Sequence, residues 1–542
     1  MLKDYEIAHM KPMKDIREIA SKLDLKEEDL YLYGKYKAKV SSVVHEDEGN
    51  VILVTSINPT PLGEGKTTVA IGLHDALWRL GVKSVLTLRE PSLGPVFGIK
   101  GGATGGGYAQ VVPMDDINLH FNGDFHAITS ANNLISAMID NHIFHGNALQ
   151  IDPSRIFFER TIDLNDRALR DVSVGGQNTR LDHFTITAAS EMMAIFCMSR
   201  DLFDLRRRID QIIVAQDLND NYVRVHDLGI TGSVMALLKD AMKPNLVQTL
   251  EENPVLIHGG PFANIAPGVS SIVSLTMARK LSPYVITEAG FGSDLGGFKF
   301  LDIVCRKQGI KPSCVVLVAT IKALKYHGGC DLKHIKELDL EALKKGLANL
   351  EVHMDNLSIL KVPFIVTLNQ YDTDKTEEIT IVEQFVKDKG STMILSNVHE
   401  KGGEGAIMLA QEVLKYQLPS LELLYDDEDL LCDKIHKVCV NLFHAKKVIY
   451  SEKALQKLEM YQAKFSSYPL CIAKTQYSIS DQKELLGYPK DFSIEVRDLH
   501  VSAGAEFIIV YLGDIMTMPG LSRYPAANEI DVNDQGEIIN MF

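Results

Sequence analysis

Residues 51–57, VILVTSI, form a run of apolar, mostly β-branched side chains that leads directly into the polar, glycine-bearing turn NPTPLGEGK. Val69, Leu73, Leu77 and Leu80 then recur at helical spacing up to Gly81, and SVLTL follows at 84–88. A strand buried on both faces reads as a continuous apolar run. A glycine just past the last periodic residue is a helix C-cap signal. Strand, glycine loop, helix and strand together make the unit of a parallel sheet, because parallel strands need a crossover to connect them. This feature predicts an α/β fold of P-loop NTPase type, with a parallel sheet covered by helices on both faces.

The turn itself carries chemistry. Thr60, Pro61, Leu62, Gly63, Glu64, Gly65, Lys66 and Thr67 occupy the positions of a G-x-x-x-x-G-K-[ST] phosphate loop, with Thr60 in place of the leading glycine. Such a loop cradles phosphates with backbone N–H groups at a helix N-terminus. Lys66 is placed to reach the β- and γ-phosphates, and the Thr67 hydroxyl to ligate Mg²⁺. The competing reading is a glycine-rich surface turn. The strand before it and the amphipathic helix after it favour an ATP site.

The same rhythm continues downstream. Residues 254–260, 284–292, 314–324, 362–372 and 391–398 read as apolar strands running into glycine-rich or polar turns, and 507–513 as a strand of a smaller terminal unit. We expect a nucleotide-binding domain over 1–360, a second α/β domain over 361–470 and a small C-terminal domain over 471–542. Ligands of open α/β sheets collect at the carboxyl ends of strands, so these turns are where chemistry belongs. His258 and His327 sit in such turns, with a satisfied core histidine as the competing reading for each. Asn369 and Asp372 form an N-x-x-D after a strand, which suits base recognition or merely a turn.

Composition excludes whole classes. With 56 Lys and Arg against 71 Asp and Glu, the net charge of −15 argues against sequence-independent nucleic-acid binding. No apolar run approaches a membrane span, and the charged start MLKDYEIAHMKPMKDI lacks a signal-peptide core. The seven cysteines form no C-x-x-C pair, so neither a disulfide framework nor a thiolate zinc site is expected. The expected compartment is the cytoplasm. Asp115, Asp116, His120, Asp124 and His126 cluster in sequence but match no standard zinc spacing.

After the second strand come Arg89-Glu90-Pro91-Ser92-Leu93-Gly94-Pro95 and then Lys100-Gly101-Gly102-Ala103-Thr104-Gly105-Gly106-Gly107. A glycine run can be only a flexible loop. Here Arg89 and Lys100 flank it at a strand's carboxyl end, which points to an anion or acyl-phosphate site.

These stretches resemble formate–tetrahydrofolate ligase. The resemblance is carried by TPLGEGKTT (60–68), LREPSLGP (88–95), FGIKGGATGGGYAQVVPMDDINLHF (97–121) and GDFHAIT (123–129). It continues through KPNLVQTLE (243–251), HGGPFANIA (258–266), TEAGFGSDLG (287–296), VATIKALKYHGG (318–329) and SAGAEFIIVYLGDIMTMPGL (502–521). It implies ATP, formate and tetrahydrofolate as substrates and 10-formyltetrahydrofolate as product, through formyl phosphate. It also implies Mg²⁺, a monovalent cation (K⁺ or NH₄⁺) and a homotetramer. On this basis Lys66 and Arg89 carry the charge of phosphoryl transfer, with Arg89 on the formyl phosphate and Glu90 orienting Arg89 or assisting the metal. The alternative for Arg89 is an ion pair with Glu90 or another acid. Lys100, Gly101 and Gly102 join the acyl-phosphate loop, and Asp124 is a candidate contact to the folate amino groups. Phe300 is the match to a folate-stacking phenylalanine, with core packing as its other reading, and His399 stands where the family has a stacking tryptophan.

The chain departs from the family pattern at His399, at Lys322 (usually arginine), at Pro267 (usually histidine) and at Thr104 (usually alanine). The changes at His399, Lys322 and Pro267 leave open a ligase of the same family with a different amine acceptor or small carboxylate; a P-loop ATPase switch that binds partners is the alternative from another class.

Overall fold

The computed structural model describes residues 3–41, 48–98, 104–175 and 179–541. The apolar run is a strand over Asn50–Ser56, and the spacing after it is helix α1 over Lys66–Arg79. The main sheet has 12 strands. In chain order they are β1 (Leu30–Leu32), β2 (Ala38–Val40), β3 (Asn50–Ser56), β4 (Ser84–Leu88), β5 (Gly105–Gly106) and β6 (Ala109–Val112). Then come β7 (Asn245–Thr249), β8 (Pro254–Ile257), β9 (Tyr284–Glu288), β10 (Cys314–Ala319), β11 (Phe364–Asn369) and β12 (Met393–Ser396). Across the sheet the order is β1–β2–β7–β8–β4–β9–β3–β10–β11–β12, with β6 attached to β7 and β5 to β6. Every pair from β8 to β12 is parallel. The β1–β2–β7–β8 edge and the β5–β6 ribbon are antiparallel.

Strand side chains alternate between faces, and here both faces are covered. Ile52 and Val54 enter one core with Val69, Ala70, Leu73 and Leu77 of α1. Val51 and Leu53 enter the opposite core with Leu275 and Ala278 of α2 (Ile272–Leu281) and Leu343 and Leu350 of α3 (Leu340–Ile359). Burying each such aliphatic side chain is worth about 1.5–3 kcal/mol, which is why β3 carries no polar alternation. The expected mixed α/β architecture with a large, mostly parallel sheet is therefore what forms.

The expected domain limits do not coincide with breaks in pairing. The 360/361 limit falls between β10 and β11, which are hydrogen-bonded along their length, with Val315 opposite Phe364 and Ala319 opposite Leu368. The sheet continues through it, so residues 361–396 complete the main sheet rather than found a second one. The 470/471 limit falls inside strand Leu470–Ala473, which pairs with Phe507–Tyr511. Upstream of it, Lys447–Tyr450 pairs with Ser493–Val496 in a separate two-stranded sheet, so pairing crosses this limit too.

The strand order decides where the site lies. Because β4, β9, β3 and β10 are parallel neighbours, the residues that follow them emerge on one rim. Arg89 leaves β4, Glu288 ends β9, Asn58 to Thr67 follow β3, and Thr320 follows β10. Residues 67, 89 and 288 are distant in sequence and adjacent in space.

Candidate active site

The glycine-bearing turn at 58–67 is held from inside. Gly63 and Gly65 have φ of +78° and +70°, in the left-handed region that favours glycine. A Cβ on Gly65 would also lie 2.4 Å from the Asn369 side-chain nitrogen. Glu64 turns inward and is 2% exposed. Its Oε1 accepts the Thr60 N–H at 2.7 Å, and its Oε2 accepts the Thr320 hydroxyl at 2.7 Å. The Asn369 side-chain amide donates to the Glu64 carbonyl at 3.2 Å. Both carboxylate oxygens of Glu64 are thus engaged within the fold, and this side chain ties the loop to the ends of β10 and β11 rather than facing a ligand. Thr60, in place of the leading glycine, is held by Glu64. Pro61, Leu62 and Gly63 form the exposed tip.

Asn58, which leads into the loop, is saturated with bonds. Its N–H donates to His353 Nε2 at 2.9 Å, and its carbonyl accepts from His327 Nε2 at 2.8 Å. Its side-chain oxygen accepts from Asn349 at 2.9 Å. Burial pushes His327 and His353 down to about 4, so both are neutral at pH 7. His258 is likewise pushed by burial to about 4. Its Nε2 donates to the Ala241 carbonyl at 2.7 Å, and its Nδ1 faces the Ser271 hydroxyl at 2.5 Å. The satisfied-core reading therefore holds for His258, and His327 serves as scaffold beneath the loop.

On the β4–β9 side the polar groups face open space. A cavity of about 400 Å³ is bounded by Gly63, Lys66 and Thr67 at one end, by Arg89 and Glu288 beside them, and by an aromatic wall. The Thr67 hydroxyl donates to Glu288 Oε2 at 2.7 Å, and the Arg89 guanidinium lies 3.9 Å from Glu288 Oε1. Arg89 Nη1 also reaches the Pro261 carbonyl at 3.5 Å. The ion-pair partner of Arg89 is therefore Glu288, which links it to Thr67. Glu288 lies in the TEAGFG stretch at 287–292, where nothing local in the sequence marks it as the partner of Thr67 and Arg89.

Glu90 has a different setting from the one expected. It is 4% exposed, and its Oε2 has no hydrogen-bond partner among the described residues. Burial, and then the charges of Asp124 and Asp163, raise its carboxyl well above the usual range. Asp124 is itself engaged: Lys39 Nζ donates to its Oδ1 at 2.7 Å and the Asn245 amide to its Oδ2 at 2.7 Å. Nothing in these contacts turns Asp124 toward the cavity. Asp163 accepts the Ser92 hydroxyl at 2.6 Å and the Leu93 N–H at 3.0 Å, and so fixes the turn after Arg89.

The aromatic wall is built from Phe262, Phe291 and Tyr477. Phe262 and Phe291 meet edge to face, with centroids 6.4 Å apart at 78°. Phe291 has a φ of +62°, uncommon for a bulky residue and a mark of local strain beside a site. Phe300 is 0% exposed and packs in the core, so the core reading describes its position. His399 is not on the cavity wall. Its Nε2 lies 3.7 Å from Asp4, its carbonyl accepts the Tyr108 N–H at 2.8 Å, and the Asp4 carboxylate raises its pKa. Lys322 stacks its ammonium 3.7 Å from the centre of the Tyr371 ring, on the β11 side of the loop. Thr104 is buried, whereas Lys100, Gly101 and Gly102 lie outside the described residues.

Among the described residues there is no cluster of three His, Cys, Asp or Glu side chains suited to a metal, and no helix long and apolar enough to cross a membrane. The hydroxyl of Thr67 and the carboxylate of Glu288 do fit Mg²⁺, which takes one or two protein oxygens and completes its shell with water and phosphate.

The sequence model of the formate–tetrahydrofolate ligase family matches residues 2–542. With essentially its whole length matched, and with a phosphate-type loop, an arginine and an aromatic wall converging on one cavity, the chain belongs to the formate–tetrahydrofolate ligase family, enzymes that join formate to tetrahydrofolate using ATP.

Proposed function

We propose that this chain makes 10-formyltetrahydrofolate in two displacements within the cavity, with formyl phosphate between them. The observation that carries the reading is that one cavity of about 400 Å³ joins the phosphate-type loop, Arg89 and an aromatic wall. Formate is a poor electrophile, and a phosphate on its oxygen supplies a leaving group. In the first displacement a formate oxygen bonds to the γ-phosphorus and the bond to the bridging oxygen of ADP breaks. In the second, the N10 amine bonds to the formyl carbon, phosphate departs, and the amine loses a proton.

The P-loop reading places the triphosphate on the backbone N–H groups of residues 63–67 at the N-terminus of α1, with Lys66 at the β- and γ-phosphates. Arg89 binds formate and then formyl phosphate, where its planar fork matches either anion bidentately. Thr67 and Glu288 would hold Mg²⁺, which, when bound, neutralises charge developing on the transferred phosphoryl group. Glu288 also orients Arg89. The pterin stacks on the wall made by Phe262 and Phe291 rather than on Phe300.

The test is product formation from MgATP, formate, tetrahydrofolate and K⁺, read after acid conversion to the methenyl form. Product that vanishes without formate is the expected result. ADP release stimulated by formate with no formylated folate would instead assign the chain to a different amine acceptor.

A further inference from the structure

The C-terminal unit reaches the cavity through one turn, residues 474–478, whose backbone is pinned from several sides. The Lys474 ammonium meets Asp294 at 2.7 Å, with both side chains 0% exposed, and donates to the carbonyls of Thr475 (3.2 Å) and Ser478. Asn264 brackets the Lys474 backbone with two hydrogen bonds of 3.0 Å each. Asn58, the residue that leads into the phosphate-type loop, donates its side-chain amide to the Gln476 carbonyl and to Asp294 Oδ1, both at 3.2 Å. A buried ion pair contributes little net stability, because desolvation offsets its attraction, and its best-attested use is to fix register. Here the register fixed is that of a turn against the start of the loop.

The two side chains this turn projects are treated in the opposite way. Gln476 and Tyr477 line the cavity, and neither side chain has a hydrogen-bond partner among the described residues. A backbone held this firmly that presents an uncommitted amide and phenol to a cavity has the form of a recognition element. Its chemistry suits the acceptor and not the nucleotide: it offers no cation and no row of N–H groups for phosphate, but a ring and a neutral amide. A pterin has a flat face and an edge of amino and oxo groups, and an amide both donates to and accepts from such an edge.

We infer that Gln476 and Tyr477 contact the acceptor, Tyr477 against the face of the pterin and Gln476 on its amino–oxo edge, with Lys474 and Asp294 as the pair that positions them. This rests on the proposed function. The acceptor site is then shared between the main sheet and the C-terminal unit, and it is tied to the phosphate-type loop through Asn58.

The experiment is steady-state kinetics with tetrahydrofolate, ATP and formate varied in turn, for the wild type, Tyr477→Ala, Tyr477→Phe and Gln476→Ala. Tyr477→Ala and Gln476→Ala are each expected to raise the KM for tetrahydrofolate about tenfold, with the KM for ATP and formate unchanged and Tyr477→Phe, which keeps the ring, raising it less than Tyr477→Ala. An unchanged KM for tetrahydrofolate in both alanine variants overturns the assignment, and so does a parallel rise in the KM for ATP. The double variant Lys474→Met, Asp294→Leu removes both buried charges together, which is often neutral for stability. It is expected to melt near the wild type and to show the Tyr477→Ala effect on tetrahydrofolate, and a wild-type KM would remove the positioning role. A wild type that forms no product overturns the proposed function, and the same variants are then read by calorimetric binding of tetrahydrofolate. Weaker binding than wild type upholds the turn's role, equal binding refutes it, and no binding by the wild type refutes both.

Discussion

The two flanks of the phosphate-type loop are built on opposite plans. Toward β10 and β11, polar groups are engaged with one another: Glu64 with Thr60 and Thr320, Asn369 with the loop backbone, Lys322 with Tyr371. Toward β9 and β4, Lys66, Thr67, Arg89 and Glu288 line a cavity, with Glu288 bridging Thr67 and Arg89. One flank ties the loop into the fold, and the other sets charged groups around open space. A site that works by electrostatic preorganisation needs both, since its charges act only if they do not reorient during reaction. The difference also says that changes on the two flanks should fail in different ways.

The largest effects belong to the cavity flank. Arg89→Ala is expected to lower kcat by about 10³–10⁵-fold, the range seen when a transition-state arginine is lost in phosphoryl transfer. Lys66→Ala should cost about 10²–10³-fold in kcat/KM for ATP. Neither should move the melting temperature by more than about 2 °C. Activity of Arg89→Ala within tenfold of wild type would remove Arg89 from the formyl phosphate. Glu288→Gln keeps an acceptor for Thr67 but deletes the charge between it and Arg89, and a loss of about 10–100-fold with a raised Mg²⁺ requirement is expected. An unchanged Mg²⁺ titration would take Glu288 out of the metal site.

Gly290→Ala sharpens the comparison without replacing a charged group. A Cβ there would stand 2.9 Å from Arg89 Nη1 and 2.8 Å from the Ala263 Cβ, so the guanidinium must shift. A misplacement of that size should cost about 10²-fold, expressed in the KM for formate and not for ATP. Equal effects on both KM values would mean that the whole rim has moved. On the opposite flank, Glu64→Ala leaves the Thr60 N–H and the Thr320 hydroxyl without their partner, at about 1–3 kcal/mol each. The expected signature is a melting temperature lowered by several degrees and a weaker KM for ATP, while the formate KM stays put. A stable Glu64→Ala enzyme with collapsed kcat would reverse the division of labour argued above.

What could be read from the chain follows the range of the forces involved. The loop, its strand and its helix were legible because glycine conformation and apolar period are local. Arg89 was legible because it follows a strand directly. Its partnership with Glu288 was not, since only the order β4–β9–β3 brings 89, 288 and 67 together, and strand order is a tertiary property. The stretch after β9 holds Phe291, Phe298 and Phe300 with no period to separate them. The chain winds there in wide π-type turns over Ser293–Gly297 and Phe300–Cys305, which carry Phe298 and Phe300 into the core and leave Phe291 on the cavity. The engagement of Asp124 was not legible because its partner Lys39 lies far upstream, on β2. The continuity of the sheet across 360/361 was not legible for a similar reason: the strand–helix rhythm is the same on both sides, and only pairing shows one sheet.

The smallest expected effect tests the periphery of the engaged flank, where His399 meets Asp4 of the N-terminal helix Asp4–Ala8. The Asp4 carboxylate raises the His399 pKa above 6.5, with Glu400 and Asp372 adding to it, while His399 and the Gly107 N–H hold Asp4 below 3.8. A raised histidine contributes its full stabilisation below the unfolded value and loses it as pH rises through the folded one. A depressed carboxylate contributes fully above the unfolded value and loses it as pH falls through the folded one. The pair therefore holds best between about pH 4 and 6.5. Its side chains are 38% and 35% exposed, so solvent screening keeps its worth within about 1 kcal/mol. Amide exchange of residues 4–8 should accelerate, beyond the intrinsic pH dependence, as pH is raised from 6 to 9. His399→Gln should abolish that extra acceleration while leaving the KM for tetrahydrofolate within about twofold of wild type. A tenfold change in that KM would put His399 back in the acceptor site, and would mean that the engaged flank, too, presents a group to substrate.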